Sequence, residues 1–362
     1  MKIYLSFLFT ILSIKVYCQT DSICIMKPTG KYQVGTMIYE WIDSTRLSCY
    51  SPHQNEKRTL VVQVWYPAKV DENTPAAPYA INSSVYKKVI SHSYLRASFT
   101  DQLEKAKLIL ISPGRGTERF LYTTIIEELA SQGYFVASVD MPGIGYTSYH
   151  DGFIIKPSSA FSPPSGMMAG PYEKVDEFFE QPTEIGYQDL TFALSKIVAL
   201  NQSDINGRFV GKIDTENIGV FAHSLGGRIA GEFTAKTQNV KAYISMEGIP
   251  PRNVRYNGEI NIPIAMLCSS GTLPYAIKNY NSLTDNRSNT VYMIELTGFG
   301  HNSVTDEPFI FPEKYDYKIA PDKALKITRS LVSNYFESYL SGKGTFLESI
   351  EGLENMKTEV YE

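Results

Sequence analysis

The segment that decides the fold is Ile218-Gly219-Val220-Phe221-Ala222-His223-Ser224-Leu225-Gly226-Gly227, an apolar run that ends in a serine flanked by small residues. The run is typical of a buried strand, and the segment Arg228–Lys236 that follows favours a helix. A serine on a sharp strand-to-helix turn has a strained backbone and an exposed hydroxyl, and small residues such as Ala222 and Gly226 let strand and helix approach. The helix N-terminus favours negative charge that develops beside it. The segment therefore predicts a nucleophile elbow centred on Ser224; a chance serine in such a turn is the alternative.

Short apolar runs, each bounded by turn residues, recur along the chain and predict buried strands. They are Tyr32–Trp41, Leu60–Tyr66, Lys107–Ile111, Tyr134–Asp140, Asn217–Phe221, Val240–Met246, Ile262–Cys268 and Thr290–Glu295. Segments of helical length lie between them, at Phe120–Ala130, Tyr187–Leu200, Leu225–Lys236 and Pro321–Leu340. Unalternating strands separated by helices indicate a mainly parallel sheet of about eight strands with helices on both faces. Together with the elbow, this pattern predicts an α/β-hydrolase fold whose first two strands form an antiparallel pair.

Residues 146–183 do not fit this alternation, because they combine prolines and glycines with large apolar side chains. A long irregular segment inside a compact domain is usually functional. This one follows the carboxyl end of Tyr134–Asp140, and open α/β sheets bind ligands at that end of their strands. We expect a cap over a pocket at about residues 146–183, inserted in one hydrolase domain that spans residues 19–362. A surface excursion without a role in binding is the alternative.

The general base follows by elimination, because the chain has only five histidines. In this fold the serine, the acid and the histidine follow one another along the chain. His301 is the one histidine beyond the elbow, whereas His223 lies inside it, next to the serine. The glycine-rich segment Gly298–Ser303 places His301 just after the last predicted strand, where a general base would reach the serine. We expect His301 to activate Ser224; a histidine of a surface loop is the alternative.

The acid of the triad is chosen from the carboxylates between the serine and the histidine. They are Glu232, Glu247, Glu259, Asp285 and Glu295. Glu247 directly follows the strand Val240–Met246, at the sheet edge where an acid can orient the imidazole. The acid also occurs after the next strand in this fold, but Cys268-Ser-Ser-Gly-Thr272 contains no carboxylate, so Asp285 is the alternative. We favour Glu247.

An oxyanion hole requires two backbone N–H donors. Leu225, which follows the nucleophile, is expected to supply one. The oxyanion loop, Ser112-Pro113-Gly114-Arg115-Gly116, follows the strand Lys107–Ile111 and is expected to supply the other. Glycines let this backbone approach a substrate oxygen, and Arg115 N–H is the best-placed donor. Loss of one such donor typically costs about 3–4 kcal/mol of transition-state stabilisation.

The N-terminus predicts export. Residues 1–18 have the pattern of a signal peptide, with Lys2, an apolar run from Ile3 to Ile14 that is too short to span a bilayer, and cleavage after Cys18. A lipid-anchored Cys18 is the alternative. No later run reaches the roughly 18 apolar residues of a membrane helix, so we expect no transmembrane segment and a periplasmic or extracellular protein.

The composition excludes several classes of function. The 34 basic and 38 acidic residues give a net charge of −4 without a basic block, which argues against nucleic-acid binding. The sequence has no CxxC motif or histidine-rich cluster, so no metal or organic cofactor is implied. Among the 4 cysteines, Cys24 and Cys49 could pair after export, whereas Cys268 lies in an apolar run and is expected to be a buried thiol. The oligomeric state is not indicated.

Further stretches carry a family resemblance. They are Gly30-Lys-Tyr-Gln-Val-Gly35, Val64-Trp-Tyr-Pro67, Leu110-Ile-Ser-Pro-Gly-Arg-Gly116, Leu129-Ala-Ser-Gln-Gly-Tyr134, Gly211-Lys-Ile-Asp214 and Gly300-His301. With the elbow, they resemble the plasma-type platelet-activating-factor acetylhydrolases, an α/β-hydrolase family, and related bacterial esterases and polyester hydrolases. The resemblance implies Ca²⁺-independent ester hydrolysis, with short or oxidised acyl chains on phospholipids as one substrate class. It also places the acid at Glu247, where the family usually has Asp, and leaves residues 341–362 without a counterpart.

These observations predict an exported serine esterase that cleaves a small-molecule or lipid ester through an acyl-enzyme. Ser224 is the expected nucleophile, His301 the base and Glu247 the residue that orients it. Hydrolysis should be fastest near neutral pH, because His301 must be unprotonated to act as a base. Amide or peptide hydrolysis by the same triad, and a non-catalytic binding protein of the same fold, are the alternatives.

Overall fold

The computed structural model describes residues 22–48, 55–284 and 289–361. In these ranges the strands are β1 (Ile23–Cys24), β2 (Gln33–Leu47), β3 (Lys57–Lys69), β4 (Ala76–Pro78), β5 (Val89–Leu95), β6 (Ser98–Phe99), β7 (Ala106–Ser112), β8 (Phe135–Asp140), β9 (Thr147–Ser148), β10 (Ile154–Ile155), β11 (Ile213–His223), β12 (Val240–Met246), β13 (Ile264–Ser269), β14 (Val291–Leu296) and β15 (Met356–Tyr361). Each of the eight predicted strands is present, with differences mainly at the ends. The predicted signal peptide at residues 1–18, Cys49 and Asp285 lie outside the described residues.

The main sheet has the strand order β1-β5-β2-β3-β8-β7-β11-β12-β13-β14-β15. All neighbours from β8 to β14 are parallel, and β2 pairs antiparallel with β3, as predicted. The predicted α/β-hydrolase fold is therefore confirmed. Of the strands that were not predicted, β5 alternates buried side chains with more exposed ones, and the side chains of β15 are all at least partly exposed, so neither has a continuous buried apolar run. They flank the eight predicted strands in the sheet: β5 pairs parallel with β2, and β15 is the antiparallel edge strand beside β14.

Helices cover both faces of the sheet. They are α1 (Thr123–Gln132), α2 (Tyr172–Gln202), α3 (Leu225–Lys236), α4 (Arg252–Asn257), α5 (Leu273–Thr284), α6 (Glu307–Ile310), α7 (Pro321–Ser341) and α8 (Phe346–Ser349). Apolar side chains of α2 to α5 pack in the core on one face, and those of α1, α7 and α8 pack on the other. The α3 helix has the predicted bounds. The α2 helix begins at Tyr172 instead of Tyr187, because it accommodates Pro182 in its interior, a residue that usually ends a helix.

Residues 146–183 contain the antiparallel pair of β9 and β10, two 3₁₀ turns (Ser159–Phe161 and Met167–Ala169) and the first turns of α2. The irregular part is thus shorter than the sequence indicated. A hydrogen bond of 3.2 Å from Tyr146 N–H to the Thr117 carbonyl ties the start of the segment to the end of the oxyanion loop. Phe161 and Phe179 are buried in the core on the face of α3, so the segment is packed on the domain at two points.

The parallel strands bring four loops to one edge of the sheet. The oxyanion loop follows β7, the elbow follows β11, Glu247 follows β12, and the segment with His301 follows β14. Because these strands run in the same direction, their carboxyl ends meet at the edge where open α/β sheets bind ligands. Cys268 in β13 is fully buried, as predicted.

None of the helices in the described ranges is both long enough and apolar enough to cross a membrane.

Candidate active site

The elbow has the strained geometry that its sequence predicts. Ser224 has φ 55° and ψ −125°, a conformation that a residue with a side chain rarely adopts, at the N-terminus of α3. Ala222 is buried in β11 between Ser112 of β7 and Ser245 of β12. A Cβ atom on Gly226 would overlap the carbonyl oxygen of Ser112, so only glycine fits where α3 passes the end of β7.

His301 lies directly beside the elbow serine. Its Nε2 atom is 2.9 Å from Ser224 Oγ. The loop that carries it turns through a hydrogen bond of 2.9 Å from Gly300 N–H to Ser303 Oγ. About half of the imidazole is exposed (49%), so the ring reaches the serine from the solvent side of the sheet edge. This distance and direction suit proton transfer from the serine hydroxyl.

Glu247 completes the hydrogen-bonded set. Its Oε2 atom is 3.3 Å from His301 Nδ1, and its carboxylate is almost fully buried. The same carboxylate accepts hydrogen bonds from the Ser269 N–H, from Ser269 Oγ at 3.0 Å and from Thr272 Oγ1. These three donors hold the carboxylate in place beside the imidazole. The structure thus brings Ser224, His301 and Glu247 together, whereas the alternative acid Asp285 lies outside the described residues.

The two expected oxyanion donors both border the cavity beside Ser224. Within the described ranges, neither Leu225 N–H nor Arg115 N–H donates a hydrogen bond to another protein group. A Cβ atom on Gly114 would lie 3.1 Å from Ser224 Cβ and 2.9 Å from a ring nitrogen of His223, so the oxyanion loop lies against the elbow. The Arg115 guanidinium donates to Ser162 Oγ at 3.2 Å, which links this loop to residues 146–183.

His223 differs from His301 in every respect that matters for a base. Its ring is buried, and burial together with the nearby His301 lowers the pKa of His223 to about 3. Its ring nitrogens contact the hydroxyl of Tyr122 and the backbone carbonyl of His301, each at 2.9 Å. A ring enclosed in this way has no contact with Ser224 Oγ and remains neutral at physiological pH.

Three polar residues at the site were missed by the sequence analysis. Ser269 and Thr272 hold the Glu247 carboxylate, and Tyr122 holds His223. Ser269 and Thr272 lie at the end of β13, at the same sheet edge as Glu247, and this position was the signal from which their role could have been predicted. Tyr122 has no such signal in the sequence, because nothing in its own segment indicates that its hydroxyl contacts the elbow, which lies about a hundred residues later in the chain.

A cavity of about 380 Å³ opens beside the serine. Its walls include Leu225 and Ile249 from the sheet edge and Tyr275 from α5. Three residues between 146 and 183 complete the lining, namely Pro163, Met168 and Phe179. The lining is mostly apolar with a few polar groups beside the serine, which is the usual character of a site for a small organic ligand.

Arg228 forms the back of this cavity. It lies four residues after Ser224, on the same side of α3, and donates to Asp176 at 2.5 Å and to the Tyr275 hydroxyl at 2.7 Å. Its guanidinium also lies over the ring of Phe179, 5.5 Å from the centroid. Arg228 lines a second cavity of about 580 Å³ as well, whose walls are rich in carboxylates. It therefore separates an apolar space beside the serine from an acidic one. Among the described residues, no group of three or more His, Cys, Asp and Glu side chains is arranged to bind a metal ion.

Comparison with known proteins finds relatives of the kind that the sequence resembles. A family model described as platelet-activating factor acetylhydrolase, isoform II, matches residues 17–142, a region that includes the oxyanion loop and ends before the elbow. A platelet-activating factor acetylhydrolase of Gallus gallus is 24% identical over 275 residues, which are 67% of this chain and 64% of that protein. The chain thus spans 64% of the length of this curated relative. The predicted resemblance is confirmed.

A solved structure supports the fold over nearly the whole chain. A ferulic acid esterase from Streptomyces cinnamoneus superposes with a TM-score of 0.74 at 23% identity, and the match covers 93% of this chain and 99% of that one. At this identity the likeness establishes the shared α/β-hydrolase fold.

Proposed function

We propose that the protein is a serine esterase that hydrolyses carboxylic esters through Ser224, His301 and Glu247. The observation that carries the proposal is the continuous set of contacts from Ser224 Oγ to His301 Nε2 (2.9 Å) and from His301 Nδ1 to Glu247 Oε2 (3.3 Å). This set lies at the mouth of a cavity that is bordered by two amides without partners among the described residues. A nucleophile, a base, an orienting acid and an oxyanion site are the parts that acyl transfer requires.

The first half of the reaction forms an acyl-enzyme. His301 Nε2 takes the hydroxyl proton of Ser224 as Oγ attacks the ester carbonyl carbon. The carbonyl oxygen becomes an oxyanion and accepts hydrogen bonds from the Leu225 and Arg115 amides, next to the positive end of the α3 dipole. Glu247 stabilises the imidazolium without taking its proton. The carbon–oxygen bond to the alcohol then breaks, and the alcohol leaves with the proton from His301.

The second half releases the acid. Water approaches the acyl-enzyme from the exposed side of His301. His301 removes one proton from this water molecule while the water oxygen attacks the acyl carbon. A second oxyanion forms at the same two amides and collapses with return of the proton to Ser224 Oγ. The carboxylic acid product departs, and the serine and the histidine regain their initial protonation.

The substrate class is proposed from the cavity and the relatives. A mostly apolar space of about 380 Å³ suits a small or short-chain acyl group, or a compact aromatic one. The relatives are described as a platelet-activating factor acetylhydrolase and a ferulic acid esterase. We therefore propose small-molecule or lipid esters as substrates.

The test is hydrolysis of p-nitrophenyl esters of increasing acyl length by the parent and by Ser224→Ala, with the serine traced by a phosphonate ester probe and mass spectrometry. The parent should cleave at least one ester far faster than the variant, and the probe should label Ser224 alone. A parent that is no faster than Ser224→Ala on every ester would refute the proposal. Transfer of the label to another serine would also refute the assigned nucleophile.

A further inference from the structure

The imidazole next to the nucleophile is enclosed between two loops of the site. His223 is 1% exposed, although it directly precedes Ser224. Its Nε2 atom is 2.9 Å from the carbonyl oxygen of His301, and its Nδ1 atom is 2.9 Å from the hydroxyl oxygen of Tyr122. Each ring nitrogen thus has a hydrogen-bond partner, and the two partners come from distant parts of the chain.

The partners fix the tautomer of the ring. A carbonyl oxygen only accepts hydrogen bonds, so Nε2 carries the proton and donates it to His301 O. The neutral ring then offers a lone pair at Nδ1, which accepts the hydroxyl proton of Tyr122. Burial lowers the pKa of His223 to about 3, so this single neutral form persists over the whole working range of an esterase.

Tyr122 extends the chain of hydrogen bonds to the oxyanion loop. Its side chain is fully buried, and its hydroxyl oxygen accepts the Gly114 N–H at 3.1 Å. Thr117 reinforces this point, because its hydroxyl donates to Gly114 O at 2.8 Å and lies 3.1 Å from the Tyr122 hydroxyl. One path therefore runs from Gly114 N–H through Tyr122 and His223 to the backbone of His301.

The two ends of this path lie in the oxyanion loop and in the loop of His301, and the proposed reaction depends on the distance between these loops. Gly114 precedes Arg115, the proposed oxyanion donor, and His301 carries the proposed base. The side chain of His301 is half exposed, so its surroundings hold it less firmly than a buried ring would be held. The buried donor at His223 therefore restrains the backbone from which that side chain extends.

We propose that His223 and Tyr122 are positioning residues that set the distance between the general base and the oxyanion loop. The assignment rests on the esterase function proposed above. His223 acts through its Nε2–H on the His301 backbone and takes no proton from the substrate. Tyr122 acts through Gly114. A ring that only filled space, or one that relayed protons, would behave differently in the test that follows.

The test compares His223→Leu, His223→Gln and Tyr122→Phe with the parent. Leu removes both hydrogen bonds, whereas the Gln amide reaches the position of Nε2 and still donates to the His301 carbonyl. Tyr335→Phe is the matched control, because Tyr335 is also a fully buried tyrosine that donates to backbone carbonyls, at Tyr243 and Pro263, away from the elbow. Steady-state kinetics are measured well below each melting temperature, on the ester that the parent cleaves best, from pH 5 to pH 9.

We expect kcat to fall about 100-fold in His223→Leu with little change in KM, the scale that follows a misplacement of about 1 Å. His223→Gln should recover most of this loss, Tyr122→Phe should lose about tenfold, and Tyr335→Phe should keep the parent kcat. The acid limb of the pH profile should stay in place in all variants, because the ring that is removed carries no charge there. Phosphonate labelling of Ser224 should slow in proportion to kcat.

Several outcomes overturn the inference. They are an unchanged kcat in folded His223→Leu, an equal loss in the Gln and Leu variants, a loss in Tyr335→Phe as large as that in Tyr122→Phe, and an acid limb that moves when His223 is replaced. A parent without esterase activity contradicts the proposed function instead. In that case histidine ¹⁵N spectra still test the geometry, since they must show a neutral His223 with the proton on Nε2 down to about pH 4.

Discussion

The two sides of the cavity are held in different ways. The elbow floor, which comprises Gly114, Ser224, Leu225, Glu247 and His301, follows the ends of strands in one sheet. Buried hydrogen bonds hold Gly114 and Glu247, and the half-exposed His301 contacts Ser224. The segment that we propose as a cover of the cavity, residues 146–183, is called the covering segment. It consists of a short strand pair, two 3₁₀ turns and the start of α2, and most of its side chains are exposed. From this difference we propose that the sheet determines the chemistry and the covering segment determines which ester fits.

This division predicts how the rates for different esters should change when residues are replaced. Substitutions in the elbow floor should lower the rate for every ester by the same factor, because they act on steps that all esters share. Substitutions in the covering segment should change the ratio of rates between esters and leave the rate for the smallest ester unchanged.

The largest effect is expected for Ser224→Ala. Loss of the nucleophile should reduce kcat by at least about 10⁴-fold on all esters, because the triad acts as a unit. Stopped assays over long incubation measure the residual rate. Ser195→Ala is the control, since Ser195 is an exposed serine of α2 whose hydroxyl donates to the Phe192 carbonyl, away from the elbow. A residual rate that differs strongly between esters would contradict a floor that acts uniformly.

A smaller effect is expected for Thr272→Val, which removes one donor to Glu247 without changing the volume of the side chain. A hydrogen bond to a charged group contributes about 1.5–3 kcal/mol, so kcat should fall about tenfold or more for short and long esters alike. Thr328→Val is the control, because Thr328 is a buried threonine of α7 whose hydroxyl has no partner in the described part of the chain. A loss confined to one ester would show that Thr272 affects the fit of that ester and not the Glu247 carboxylate.

The covering segment is tested by Met168→Ala. Met168 lines the cavity and is 45% exposed, so its truncation should leave the melting temperature unchanged. Loss of apolar contact of one or two methylene groups, at about 0.8 kcal/mol each, should raise KM for the longer esters about four- to fifteenfold and leave kcat for an acetyl ester unchanged. Met356→Ala in β15 is the matched control. An equal change in KM for all esters would contradict the proposed division between the elbow floor and the covering segment.

The smallest effect concerns stability and leaves the rate at neutral pH unchanged. Burial raises the pKa of Glu127 in α1 to about 8, against the hydrogen bonds from Ser93 and from the His92 N–H that lower it. Because the folded pKa lies above the ordinary value near 4.5, the folded state holds a proton that the unfolded chain releases. Stability should therefore fall as pH rises from about 4.5 to 8.

Glu127→Gln should remove this part of the pH dependence. Urea denaturation at pH 5 and at pH 8 measures it: the parent should lose more stability between the two values than the variant does. Glu177→Gln, at an exposed acid of the covering segment, should leave the slope of the parent unchanged. Equal slopes in the parent and in Glu127→Gln would show that the buried carboxyl does not differ from an exposed one.

The parts of the site that the sequence could predict are those with a local signal. Ser224 lies in a motif that combines strand, turn and helix, and His301 follows from the scarcity of histidines after the elbow. Glu247 follows from its place at a strand end. The fold was predictable for a similar reason, because each central strand contains a mostly apolar run that is buried in the sheet.

The remaining features depend on contacts between distant residues. Tyr122 contacts a partner 101 positions away, and no pattern in its own segment indicates this. Thr272 contacts a partner 25 positions away, and its place after β13 was the one signal in the sequence. The start of α2 was missed because Pro182 argues against a helix that packing against α3 nevertheless stabilises; at Gly186 a Cβ atom would overlap Ile229. The edge strand β15 lacks an apolar run, because it is only partly buried.

The position of the Glu247 donors has a consequence for folding. The carboxylate comes from the end of β12 and its donors from the end of β13, and the pairing of Met246 with Leu267 brings the two ends together. A chain that has formed α3 around Ser224 but has not added β13 and β14 to the sheet holds a nucleophile without a base. The return of hydrolysis during refolding would therefore report when these two strands join the sheet, a non-local step expected to come late.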